Sequence, residues 1–198
     1  MGASSKATGD GGNFENPEAG ATAARCYGVV EIGTHDEEFK GEKKTQKKLI
    51  IFWELDQTMQ DGRPFVANAW YTNSLHEKAK LRKELKSWRG KDFTDAELQK
   101  FELGKLLNQP CMLNLTQKEE GGKVYVGGVM PLPKGMTAPP LENDTIDWGI
   151  DDLGNDELWD KLYPWVQNKI MESYEYKAWA SGGNADENQE DDEEAPPF

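Results

Sequence analysis

Two runs of alternating apolar residues, Lys47 to Leu55 and Pro64 to Thr72, flank the dipeptide Asp61-Gly62, and this pairing constrains the fold more than any other feature. Asp-Gly between alternating runs is among the strongest short-range signals for a β-hairpin, because glycine and aspartate tolerate the backbone angles of a tight turn. Side chains along a strand alternate between faces. Leu49, Ile51, Trp53 and Leu55 therefore face a core, while Ile50, Phe52 and Glu54 face outward. The same parity puts Trp70 and Tyr71 on opposite faces, so one at most is an exposed platform while the other fills the core.

A first strand precedes this hairpin, with Cys26, Gly28, Val30 and Ile32 alternating against Tyr27, Val29 and Glu31. The charged stretch from His35 to Gln46 reads as a loop. After the hairpin, Ser74 to Glu77 has the form of a capping box, which predicts a helix starting there, with Leu81, Leu85 and Trp88 on one stripe and Gly90 as its stop. Thr94 to Glu97 repeats the signature before a shorter helix through Phe101. A second hairpin follows: Cys111 to Leu115, a polar turn at Glu119 to Gly122, and Val124 to Met130. The fold class expected is mainly β with a helical insert. The order β-β-β-α-β-β is that of a five-stranded OB-fold Greek-key barrel over residues 26–135, whose second and third strands and first and last hairpin loops hold oligonucleotides.

The flanks differ in kind. Residues 1–25 are small and polar and read as a flexible N-terminal arm; residues 136–180 read as an acidic strap and a C-terminal helix packing on the barrel; residues 181–198 read as a disordered acidic tail. In that helix Leu158, Leu162, Trp165, Val166 and Ile170 recur at helical spacing, and Pro164 breaks it in two. The net charge of −13 is unevenly spread: −1 over residues 1–25, +2 over 26–135 and −14 over 136–198. A polyanion ligand is thus compatible with the central domain although the whole chain is acidic.

No apolar run long enough to cross a bilayer and no signal peptide is visible, so a cytoplasmic protein is expected, in the host cell if phage-encoded. Cys26 and Cys111 lie in apolar stretches and read as buried thiols; with His35 and His76 they match no zinc spacing. There is no Gly-rich phosphate loop, nucleophile elbow or histidine pair, and Asp151-Asp152 and Asp191-Asp192 lie in segments too loose to hold a metal. No enzyme, metal or cofactor is expected.

A single strand of nucleic acid needs flat aromatic faces for its bases and cations for its phosphates. Phe39, Lys40, Lys43, Lys44, Lys47 and Lys48 crowd the first hairpin loop; Phe52, Trp70, Tyr71 and Tyr125 are the candidate stacking residues; Arg63 joins them from the turn. The helix from Leu75 adds Lys78, Lys80 and Arg82, with either a solvated basic face or an extended phosphate track as its meaning. The chain ends Glu190-Asp191-Asp192-Glu193-Glu194-Ala195-Pro196-Pro197-Phe198, where a long-range electrostatic run meets one aromatic anchor.

That terminus resembles the tail of bacterial and bacteriophage single-stranded DNA-binding proteins, whose acidic C-termini end in Phe and dock replication and repair enzymes. Here Pro196 stands where an aliphatic residue is usual. Residues 71–90, from Tyr71-Thr72-Asn73-Ser74 to Ser87-Trp88-Arg89-Gly90, look like a segment common in small phage proteins of replication. The resemblance implies a protein that coats single-stranded DNA in phage replication, recombination or repair. It implies also that Asp191, Asp192, Glu193, Glu194, Pro197 and Phe198 recruit a polymerase, helicase, primase or recombinase. Three rivals stand beside it: an acidic adaptor or DNA mimic that binds a host protein, a strand-annealing recombination mediator that forms a homo-oligomer, and a nuclease, which metal-dependent loss of a labelled strand would expose.

Overall fold

The computed structural model describes residues 15–39, 41–119 and 122–182. The chain runs through β1 (Gly20–Phe39), β2 (Glu42–Thr58), β3 (Pro64–Thr72), α1 (Lys80–Arg89), α2 (Asp95–Leu98), β4 (Pro110–Gln117), β5 (Val124–Met130), β6 (Ile146–Trp148), α3 (Asp156–Trp159), α4 (Pro164–Met171) and α5 (Tyr174–Gly182). Five strands form an antiparallel path in the order β3-β2-β1-β4-β5, and β6 pairs with β1 in parallel. The protein is mainly β, and its sheet is open. Among the described residues no ladder joins β3 to β5, so the expected barrel does not close. Instead the two edges face each other across a cleft of about 580 Å³ into which Phe65, Trp70, Val124 and Tyr125 project.

Both hairpins stand where the alternation puts them. At the Asp61-Gly62 turn the Met59 amide donates to the Arg63 carbonyl at 2.8 Å, and Gly62 holds a φ of 87° that a side chain would oppose. The stretch read as a loop, His35 to Gln46, is mostly ladder: Asp36 faces Thr45, Glu37 faces Lys44 and Glu38 faces Lys43. Opposite charges directly across an antiparallel pair stabilise it, and with polar residues on both faces the segment carries no apolar alternation to announce a strand. The N-terminal arm is likewise shorter than expected. Gly20 to Arg25 pair with β4, and Ala23 and Ala24 are buried.

The capping box at Ser74 does not open a helix. The Ser74 hydroxyl accepts from the His76 amide, and α1 begins only at Lys80, after an extended Ala79. This turn lets Leu75 reach the core before the helix starts. Beyond it the stripe is as read: Leu81, Leu85 and Trp88 are buried, and Gly90 stops the helix at φ 69°. At Thr94 the capping box is complete, but α2 ends at Leu98, short of Phe101.

Two cores flank the sheet. One gathers Cys26, Leu49, Ile51, Trp53 and Leu113 under Leu81, Leu85 and Trp88 of α1. The other gathers Tyr27, Val30, Ile32, Ile50 and Phe52 under Ile146, Trp148, Leu162, Val166 and Ile170, so the expected face Cys26, Gly28, Val30, Ile32 is broken: the bulge between Cys26 and Gly28 turns Cys26 and Val29 to the first core and Tyr27, Val30 and Ile32 to the second. Residues 49–55 of β2 are therefore buried on both faces. Full burial of a Phe or Ile contributes about 1.5–3 kcal/mol, so covering the second face is a large part of what holds residues 136–180 in place. Polar anchors add direction. Glu54, read as outward, is buried and accepts from the Glu142 and Asn143 amides at 2.9 Å each and from Asn143 Nδ2 at 2.6 Å. Thr34 donates from its amide and hydroxyl to Glu175 at 2.7 and 2.6 Å, which docks α5 on β1. Pro164 does split the C-terminal helix, by standing at the first turn of α4.

Candidate nucleic-acid interface

β3 is an edge strand, and its free side is where the aromatic and basic residues meet. Parity on β3 exposes Val66, Asn68 and Trp70 and buries Ala69 and Tyr71. Of the Trp70 and Tyr71 pair, Trp70 is the exposed member, 43% accessible, and Tyr71 fills the first core. The Tyr71 hydroxyl donates to Glu84, and burial together with that carboxylate pushes its pKa up. Tyr71 is thus no stacking platform. Neither is Phe52, 2% exposed, which lies beneath the C-terminal segment rather than at the surface.

Trp70 lines two clefts at once, and so does Lys80. The first is the seam between β3 and β5, about 580 Å³, with Lys123 and Tyr125 on its far wall. The second, about 510 Å³, is bounded by Lys48, Thr72, His76 and Lys78. Tyr125 is half-exposed, with Lys118 Nζ 5.5 Å from its ring centroid. The edge of the sheet therefore carries two accessible rings with ammonium groups around them. Stacking and phosphate neutralisation call for those two chemistries together.

The cations differ in how free they are. Lys48 is held by Glu37 at 2.6 Å, Gln46 at 3.1 Å and Thr72 at 3.2 Å. Lys44 pairs with Glu42 at 3.1 Å, and Lys80 lies 3.6 Å from Glu84 and 5.1 Å from the Tyr71 ring centroid. Among the described residues Lys43, Lys47, Lys78 and Lys123 have no carboxylate within 4.0 Å. Arg63 and Arg82 are both engaged by neighbouring groups of the fold. Arg63 chelates Asp61 within its own turn at 2.7 and 2.9 Å. Arg82 donates to the Leu75 carbonyl at 3.3 Å and lies 3.5 Å from Asp92, closing the helical insert. Asp92 is held well below its ordinary range, to about 2, by the Lys86 hydrogen bond, then by the Phe93 amide and the Lys86 and Arg82 charges.

Of the lysine cluster of the first hairpin, Lys43 and Lys44 lie on β2 opposite Glu38 and Glu37 of β1, which offset their charge, while Lys47 and Lys48 face Thr34 and Gly33. Lys40 and the tail residues Asp191, Asp192, Glu193, Glu194, Pro197 and Phe198 lie outside the described residues, as does the side chain of Phe39. Sequence reasoning missed Lys123, which only the approach of β5 to β3 brings to Trp70. It also placed Trp165 on a packing stripe, whereas that ring is 39% exposed and stacks on Trp70 at 5.9 Å.

A third cleft, about 680 Å³, is lined by Glu31, Glu102 and Asp147 and has the opposite charge character. Cys26 and Cys111 are free, buried thiols whose pKa values burial pushes up. No cluster of three or more His, Cys, Asp or Glu able to hold a metal occurs among the described residues, and no helix there is long and apolar enough to cross a membrane. No known family model matches the chain, and no curated protein matches it.

Proposed function

We propose that the protein binds single-stranded DNA along the β3 edge, without strong sequence preference, in phage replication, recombination or repair. The observation that carries this is Trp70, held half-exposed at the junction of two clefts whose walls carry Lys78, Lys80, Lys123 and Tyr125. A ring face accepts any base, and stacking contributes about 1–3 kcal/mol per base. Lysines around it, of which Lys78 and Lys123 have no carboxylate partner among the described residues, neutralise phosphates and displace their counterions, which makes binding salt-dependent. The strand path β3-β2-β1-β4-β5 supports an OB-fold reading, since that fold is a partly open Greek-key barrel whose second and third strands carry the ligand. The tail is the proposed recruiting segment for a polymerase, helicase, primase or recombinase. Its charge would repel DNA phosphates, and it competes for the same basic edge.

Anisotropy of a labelled oligo-dT across a salt series tests the reading. The full chain is expected to bind with a falling log-log salt dependence, and a chain ending at Gly182 is expected to bind more tightly. If neither binds, strand binding is wrong and the acidic adaptor takes its place. Light scattering with and without DNA separates simple coating from the ring assembly of an annealing protein.

A further inference from the structure

We infer that Trp165 of α4 is a positioning residue for the Trp70 platform, so that the C-terminal segment is a working part of the DNA site as well as a cover for the sheet. The inference rests on the strand-binding reading above. Three rings form a column. Tyr163 and Trp165 lie 6.4 Å apart and 13° from parallel, and Trp165 and Trp70 lie 5.9 Å apart and 28° from parallel.

The base of the column is fixed. The Tyr163 hydroxyl meets that of Tyr27 at 2.9 Å, Phe52 lies 5.7 Å from Tyr163 and 5.9 Å from Trp165, and Val166 and Ile170 sink α4 into the second core. The top is open. Trp70 belongs to an edge strand, and Trp165 is its one aromatic neighbour within stacking distance among the described residues. An unsupported tryptophan on an edge strand samples several rotamers and must give up that freedom when a base stacks on it. Trp165 removes the freedom beforehand. The next member of the column is a flat ring attached to an anion, because Lys78 and Lys80 stand beside Trp70, and an unpaired nucleobase meets both requirements.

The test compares full-length wild type, W70A, W165A, W165F and the double variant W70A/W165A. Two probes are used: oligo-dT, and an oligonucleotide of equal length made of abasic sites, which offers phosphates without bases. Wild type is expected to prefer oligo-dT. W165A is expected to lose that preference about fivefold or more, as W70A does, while binding to the abasic strand stays within about twofold. W165F keeps a flat ring and is expected to keep most of the preference. The double variant should be no worse than W70A alone, because Trp165 acts through Trp70. If W165A keeps the wild-type preference while W70A loses it, or if the two losses add, the inference falls and strand binding stands. An equal drop on both probes, or W165F failing as W165A does, assigns Trp165 a merely structural role and also overturns it. If wild type binds neither probe, the strand-binding reading falls as well.

Discussion

Arg25 and Glu54 stand directly opposite each other on β1 and β2, and both hydrogen-bond to the strap at residues 138–143, Arg25 reaching Asn108 as well, rather than to each other. Arg25 donates to the carbonyls of Asn108, Ala138 and Pro139 at 2.7, 3.1 and 2.9 Å. Glu54 accepts the three N–H bonds from Glu142 and Asn143. One cross-strand pair thus holds the strap by its carbonyls and by its amides, and the strap leads the chain to β6 and α4.

Glu54→Ala should therefore destabilise the fold, by about 1–3 kcal/mol, because it removes the buried acceptor of three strap donors. Glu54→Gln keeps an acceptor of the same shape and should lose less. Urea denaturation followed by tryptophan fluorescence reads both, and equal midpoints for Glu54→Ala and wild type would sink the clamp.

Gly33 sits at a φ of 84°, where β1 shifts register and α5 begins against it, and a Cβ there would lie 2.6 Å from Ser173 Cβ. Gly33→Ala is expected to cost about 2 kcal/mol or more, from the backbone angle and the clash together. The melting temperature checks this, with Gly62→Ala, whose Cβ would meet nothing, as the milder comparison.

On the proposed function, the edge strand separates binding from stability at adjacent positions. Trp70→Ala should leave the melting temperature within a few degrees and weaken oligo-dT by about 1–3 kcal/mol. Tyr71→Ala should do the reverse, unfolding the protein more easily by about 3 kcal/mol because it empties the first core. Affinity and melting curves measured on both variants decide; a loss of affinity confined to Tyr71→Ala would refute the face assignment.

Charge variants should divide likewise. Lys78→Ala and Lys123→Ala should each reduce the log-log salt slope of DNA binding by about 1, whereas Arg63→Ala should leave it unchanged, since Arg63 is neutralised within its own turn. A slope altered by Arg63→Ala and not by Lys123→Ala would move the site away from the seam.

Asp92 links stability to acid. Its carboxyl is held at about 2 against an ordinary 3.8, so the charged form is favoured by the fold. That contribution is fully present above pH 4 and fades as pH falls through about 2. Carboxyl NMR titration should place its midpoint near 2, and Lys86→Ala, which removes the leading hydrogen bond, should raise it.

The hairpins at residues 49–72 and 111–130 are legible because half-buried strands write their pairing as a two-residue period, and α1 is legible because its buried stripe repeats every three or four residues. The arms of β1 and β2 beyond His35 are not, since cross-strand charge pairing leaves no such period. β6 and the closure of the second face escape for another reason. Phe52 has the parity expected of it, opposite to Trp53, but what covers that face arrives from Ile146 to Ile170, far along the chain.

Local alternation, turn chemistry and charge segregation were enough to determine that this chain builds an antiparallel sheet with a helical insert and that only one of Trp70 and Tyr71 faces solvent. Tertiary structure decided the rest: that the sheet stays open between β3 and β5, that Phe52 and Glu54 are buried, and that Trp70 shares a cleft with Lys123 and a stack with Trp165. Periodicity records which side of its own strand a residue occupies, whereas burial and the company a ring keeps depend on what distant segments bring to that side.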